Sequence, residues 1–317
     1  MSEQPPHWSQ VQETGTVLGI RIMLLIYRLF GRVAFSVMLT PVMIYYYLTH
    51  SVAREASKQY QQLLTPLLSQ KQQTNLGSIK HFMHFADMIL DKLLVWMGKF
   101  GTDNIVFETP TVVDGIKSSG KGAIIIVSHL GNIEVCNALR QKMAQVRLTI
   151  LVNTHNAEKF NSLMKRLGSD NQAELMQVND FSPATAMLLS ERINAGDLIV
   201  IAGDRTPNQP GRISEVEFLG KTASLPQGAF ILASLLQCPV YLIFCLKQKQ
   251  KYHVYVELFS EKLVFVRKLR AQQLDAVVQK YANRLEYYCI KAPLQWFNFF
   301  PFWQKVNTTN QADKSQH

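Results

Sequence analysis

From Gly120 onward the chain repeats one pattern that few folds accommodate. Four apolar runs of strand length, Ala123 to Val127, Leu148 to Val152, Leu198 to Ala202 and Val240 to Leu246, alternate with stretches of helical character, Ile133 to Met143, Ala157 to Leu167, Pro183 to Ile193 and Gln227 to Leu236. Runs of branched apolar residues without polar interruption must be buried on both faces, which a parallel sheet covered by crossover helices provides. The expected fold is α/β: a mostly parallel central sheet flanked by helices. "KYHVYVELFS" reads as a late antiparallel strand, and Leu269 to Lys291 as a long closing helix.

The N-terminal part is different. Residues 16–49 are apolar except for Arg21, Arg28 and Arg32, and after Arg32 no charge appears until past His50. That run is about as long as the shortest bilayer-spanning helix, roughly 17 residues, and bulky Tyr45, Tyr46 and Tyr47 stand where a signal peptide would need small residues. The reading is a retained membrane-anchoring helix, with tyrosines suited to the interface and Pro41 expected to kink it. An apolar hairpin packed on the globular part is the alternative. Basic residues at both ends leave orientation, and whether the segment spans, open. Residues 51–75 read as a helix leading away, and 78–100 as an amphipathic helix with a broad apolar face. The expected divisions are an anchor (1–50), a helical lead-in (51–119), an α/β core (120–305) and a polar tail (306–317).

Lys and Arg number 33 against 23 Asp and Glu, a net charge of +10, so the chain attracts anionic partners. Without an arginine-rich tail or zinc-finger spacing, phospholipid, acidic proteins or phosphorylated substrates are expected, not nucleic acid. Cys136, Cys238, Cys245 and Cys289 show no metal-ligand spacing and read as reduced core thiols of a cytosolic compartment, with two disulfides as the alternative.

Chemistry is expected where "IIIVSHLGNIEV" ends, because parallel sheets place working residues just beyond the carboxyl ends of their strands. His129 stands there, with Glu134 five positions on. On one ideal helix positions five apart point about 140° away from each other, so the two meet only through an irregular turn, which Gly131 and Asn132 permit. A carboxylate receiving the imidazole N–H would fix its tautomer and leave the other nitrogen to take a hydroxyl proton. The bland alternative is a buried histidine bonded to main chain, with Glu134 solvated. No further ligand arrives at zinc-site spacing, so no metal is expected.

"SHLGNIE" resembles the first block, H-x-G-N-[apolar]-E, of the lipid A late acyltransferases, the bacterial branch of the lysophospholipid acyltransferase superfamily; Ile133 replaces the usual Trp. The resemblance implies an acyltransferase-like fold and a His129–Glu134 dyad that deprotonates an acceptor hydroxyl, which then attacks an acyl thioester. It implies no cofactor and no covalent enzyme intermediate; the co-substrate is acyl-acyl carrier protein or acyl-CoA. Other blocks follow in order. "HNAEKFNSLMKRLGSD" carries Arg166, and "VIAGDRTP" carries Asp204 and Arg205, implied to position donor and acceptor; a surface charge and a salt-bridge corner are their plain alternatives. "VEFLGKTASLPQGAFILASLL" is similar to the block in which Phe218, Gly220, Ala223 and Gly228 shape the acyl pocket and Lys221 meets a phosphate. Asn132 joins the implied substrate-binding set. "APLQWFNFFPFWQ" is similar to a closing P-x-Q-W element, its aromatics being core or an interfacial foot. The implied protein is an O-acyltransferase on the cytoplasmic face of a bacterial inner membrane, with an acyl carrier protein and a lipid or glycolipid acceptor as partners. The ending and Ile133 resemble a divergent branch. Two alternatives remain: a lipid or thioester hydrolase with the same dyad, though no G-x-S-x-G elbow exists, and a non-catalytic lipid-binding protein.

Overall fold

The structure, a computed structural model, describes residues 17–96, 102–132, 147–152, 173–177, 182–205 and 212–303. Its centre is a seven-stranded sheet in the order β1-β9-β8-β2-β5-β3-β4. The strands are β1 (Ile105–Phe107), β2 (Ala123–Val127), β3 (Leu148–Val152), β4 (Ala173–Gln177), β5 (Leu198–Ala202), β8 (Val240–Gln248) and β9 (Lys251–Ser260). Every neighbouring pair is parallel except the β8–β9 hairpin. The α/β expectation therefore holds, with β2 in the interior between β8 and β5. β1 and β4 lie outside the runs read from the sequence.

β2 reads Ala-Ile-Ile-Ile-Val and all five residues are buried. Ile124 and Ile126 enter the larger core, while Ala123, Ile125 and Val127 enter the core on the opposite face. The closing helix (Arg270–Lys291) covers the first face with Leu274, Val278, Tyr281 and Leu285, three or four residues apart on one side. Pro110–Ser119 covers the second with Val113 and Ile116. Pro183–Asn194 begins where Ser182 accepts a hydrogen bond from the Thr185 amide at 3.1 Å, with Pro183 at its first position. The expected helices at Ile133 to Met143 and Ala157 to Leu167 fall outside the described residues.

β6 (Ile213–Phe218) and β7 (Lys221–Pro226) form a separate antiparallel pair that precedes the helix Gly228–Leu236. Leu219 and Gly220, at φ 54° and 71°, make the tight turn between them.

Ahead of the sheet lie α1 (Val17–Thr49), α2 (Ser51–Leu64), α3 (Gln70–Gln73) and α4 (Ser78–Trp96). The lead-in is bound into the domain: Tyr60, Leu64 and Leu68 belong to the larger core. In α1 the non-helical backbone falls at Gly31 (φ 76°), while Pro41 lies inside a helix. The break sets Arg32 against α4, where it pairs with Asp87 and donates to Asp91 at 2.7 Å. Lys247 of β8 reaches the same two carboxylates, and the Tyr252 hydroxyl donates to Asp91 at 2.6 Å. Asp91 is fully buried, so these donors are what makes its position tenable. Cys238, Cys245 and Cys289 are buried free thiols.

His81 of α4 is also fully buried. Its Nε2 donates to the Trp296 carbonyl at 3.0 Å, so its Nδ1, 3.0 Å from the Ser57 hydroxyl, is the acceptor. Desolvation pushes its pKa down to about 3 against the help of that carbonyl. The unfolded chain holds the extra proton between the ordinary value of about 6.5 and 3, so stability falls as pH falls through this window. The loss attributable to His81 should be on the order of 4 kcal/mol across the whole window. Denaturant titrations at a series of pH values should show His81→Gln losing this component; an unchanged slope would contradict the buried neutral state.

Candidate active site

The site forms where β2 and β5 end side by side. Gly203 follows β5, and its amide donates to the Val127 carbonyl at 2.8 Å. A Cβ on Gly203 would stand 2.6 Å from a methyl of Ile126 and 2.9 Å from the Tyr281 ring, so a larger residue there would push both core side chains aside. This contact carries Asp204 under His129. Asp204 is 1% exposed, and both of its oxygens are used. Oδ1 lies 2.8 Å from His129 Nδ1, while Oδ2 accepts from the His129 amide at 2.7 Å and from the Trp296 indole N–H at 3.0 Å.

Burial alone would raise the pKa of Asp204, but His129, the indole and the amide outweigh it, and the net shift is downward. The carboxylate is therefore ionised at neutral pH and can only accept, which requires the proton of the neutral imidazole to sit on Nδ1. Nε2 keeps its lone pair. About a third of the His129 side chain is exposed. Desolvation lowers its pKa, Asp204 pulls the other way, and Arg205 and Lys92 add to the lowering. A neutral imidazole with an unprotonated nitrogen is equipped to take a proton from a hydroxyl.

The segment that completes the site comes from the end of the chain. Leu130 bridges Trp296, the Phe297 amide donates to the His129 carbonyl at 2.9 Å, and the Gly131 amide donates to the Gln295 carbonyl at 2.8 Å. Gln295 clamps β8 from both sides: its Oε1 accepts from the Lys247 amide at 2.8 Å and its Nε2 donates to the Lys247 carbonyl at 2.7 Å. "Leu-Gln-Trp" is thus a strap across the ends of β2 and β8. Gly131 runs at φ 75°, and a Cβ there would meet the Cys245 carbonyl at 1.8 Å. The Asn132 amide donates to that same carbonyl at 3.0 Å, and its side chain reaches the Tyr252 hydroxyl.

The other expected site residues are placed as follows. Arg205 stacks over the Phe300 ring at 5.4 Å beside His129, and desolvation lowers its pKa. Phe218 is fully buried and packs edge-on against Trp296 at 5.3 Å. Gly220 is an exposed hairpin residue at φ 71°, and Lys221 next to it is exposed. Glu134 and Arg166 lie outside the described residues. The carboxylate on His129 Nδ1 is Asp204, where the motif spacing had pointed to Glu134. The aromatic ending resolves toward core: Trp296, Phe297, Phe302 and Trp303 are buried and Phe299 and Phe300 partly so. Sequence reasoning missed the parts of Trp296, Gln295 and His81, because a residue's hydrogen bond to a distant strand end leaves no local periodicity.

A strand-end histidine fixed by a buried aspartate on a mostly parallel sheet defines an α/β protein built to present a neutral base. The bacterial lipid A biosynthesis acyltransferase family matches over residues 103–305, and the chain belongs to that family. The match begins downstream of α1 to α4. No individually curated protein matches the chain.

Gly131→Ala must displace either the Cys245 carbonyl or the turn that follows His129. Equilibrium unfolding should show a loss of roughly 3 kcal/mol or more; a midpoint equal to that of the unsubstituted protein would contradict the close approach.

Proposed function

We propose that the protein is a membrane-associated O-acyltransferase that moves a fatty acyl chain from an acyl thioester to a hydroxyl of a lipid or glycolipid. The observation that carries this reading is the His129–Asp204 pair at the end of β2, in a chain of an acyltransferase family. His129 Nε2 accepts the acceptor's hydroxyl proton as the oxygen attacks the thioester carbonyl. The resulting tetrahedral adduct collapses with cleavage of the carbon–sulfur bond, and the imidazolium returns its proton to the departing thiolate. Asp204 holds the tautomer and stabilises the imidazolium. Arg205, and Lys92 of α4, supply positive charge beside the reacting centre, suited to a phosphate or a developing oxyanion.

Glu134 keeps a separate place in this reading. Glu134, five positions after the base, and Arg166 remain part of the proposed machinery through the motif they share with the family, Glu134 as a further carboxylate for the base and Arg166 for donor or acceptor. The donor is an acyl carrier protein or coenzyme A thioester, an acidic carrier matching the chain's charge of +10. The setting proposed is the cytoplasmic face of a bacterial inner membrane, where such donors and the reduced thiols belong.

Mass spectrometry of envelope lipids from a strain lacking the protein should show a lipid lighter by one acyl group, restored by the intact chain. His129→Ala should fail to restore it, since a lost general base costs about 10² to 10⁴ in rate, and Asp204→Asn should fall in the same range. Restoration by His129→Ala would overturn the reading, and thioester cleavage unaffected by acceptor lipid would make the protein a hydrolase.

The pH profile gives a second handle. Activity should fall as pH drops through the His129 pKa, below the ordinary 6.5. Trp296→Phe removes a donor that stabilises the Asp204 carboxylate, leaving a more basic carboxylate on the imidazole, so the pair takes up a proton more readily and the acid limb should move to higher pH. A limb that stays in place would show that the indole does not tune the pair.

A further inference from the structure

α1 presents two unlike faces. Phe35, Leu39 and Met43 turn inward onto Phe82, Ala86 and Leu90 of α4. Val33, Val37, Tyr45 and Leu48, all after the break at Gly31, stand on the opposite side, each 65% exposed or more. Their spacing keeps them on one stripe, longer and more apolar than a soluble surface carries without a partner. Residues Tyr27–Thr49 are apolar enough in composition to cross a bilayer.

Packing opposes a crossing. α1 lies antiparallel on α4 along its length, from the Arg32 contacts with Asp87 and Asp91 at one end to Tyr47 against Phe82, 5.3 Å between ring centres, at the other. α4 is in turn fixed to the catalytic domain through His81 and Trp296 and through Asp91 and Tyr252. If α1 stood across the bilayer, α4 would stand beside it at the same depth. That would carry exposed Lys80 and His84, and the half-exposed Arg32–Asp87 pair, into hydrocarbon. The Lys80 charge opposes insertion strongly even on lenient scales, and the polar His84 and the ion pair add to that cost.

Laid flat, the same surface is well matched. The stripe enters the acyl boundary while Arg28 and Lys80, both exposed, reach the head-group level. Between α1 and α4 a groove of about 360 Å³ is lined by Thr40, Ile44, Ile79, Met83, Lys80 and His84. Its apolar residues and the Lys80 ammonium together match one acyl chain and its phosphate. We infer that α1 lies in the plane of the interface of an anionic phospholipid bilayer and does not cross it, so that the anchor holds the domain edge-on against the membrane. This rests on the membrane-associated part of the proposed function and not on its chemistry.

The test uses the full chain on vesicles of phosphatidylethanolamine and phosphatidylglycerol. Val33→Cys and Leu48→Cys are each labelled with a fluorophore, and depth is read by quenching from lipids brominated at defined acyl carbons. The unsubstituted chain, whose Cys238, Cys245 and Cys289 are buried, supplies the labelling background. The two sites lie about 22 Å apart along the helix. Equal depths within the acyl boundary are expected, and Lys80→Glu should weaken vesicle binding roughly fivefold or more without altering binding to phosphatidylcholine. Depths differing by about 20 Å would establish a crossing helix and overturn the inference. Absence of quenching at both sites would overturn it too, showing that protein covers the stripe. No turnover is measured, so a failure of the acyl-transfer reading leaves this result standing.

Discussion

Asp204 is a carboxylate removed from water, and the architecture around it follows from that cost. An isolated ionised carboxylate in such a place would be untenable. Three donors meet it: the His129 imidazole, the His129 amide and the Trp296 indole. Each comes with a structural requirement. The amide needs the β2 end to turn inward immediately after Ser128. The indole needs the end of the chain to return across the sheet. The imidazole needs its proton on Nδ1, which is the same condition that leaves Nε2 free to act.

Support for these donors extends far from the site. Gln295 sets the strap by clamping the Lys247 main chain, and His81 holds the Trp296 carbonyl while Ser57 of α2 holds His81. The Trp296 ring is wedged among Tyr60, Phe218 and Phe302. Helices that precede the family match thus bear on the geometry of a pair inside it. A second polar cluster, Asp87 and Asp91 with Arg32, Lys247 and Tyr252, fastens α1 to the same frame. Two carboxylates against two cations leave it neutral, which suits a half-buried place beside a membrane.

Much of the sheet was legible because its signal is local. Ala123 to Val127 is an unbroken apolar run with Gly122 before it and a polar strand end after it, and it emerges with those bounds. The β6 alternation is also present in the sequence, with Ser214, Val216 and Phe218 inward, but its similarity to a substrate block of the family hides the strand signal. His129 could be singled out because its place at a strand end is a topological fact. Its partner could not. Spacing favoured Glu134, whereas Asp204 reaches the imidazole only through the β2–β5 pairing and the Gly203 contact, across seventy-five positions of chain. The aromatic ending left core and interface equally open, and only the strap's return over β2 and β8 decides for core.

The most direct measurement of the central arrangement is the tautomer of His129, read by nitrogen NMR on protein carrying ¹⁵N-labelled histidine and assigned by loss of signal in His129→Gln. At neutral pH the ring should be neutral with its proton on Nδ1, and should become charged only below pH 6.5. A neutral ring protonated on Nε2, or one still charged at pH 7, would mean that Asp204 does not present the base described here.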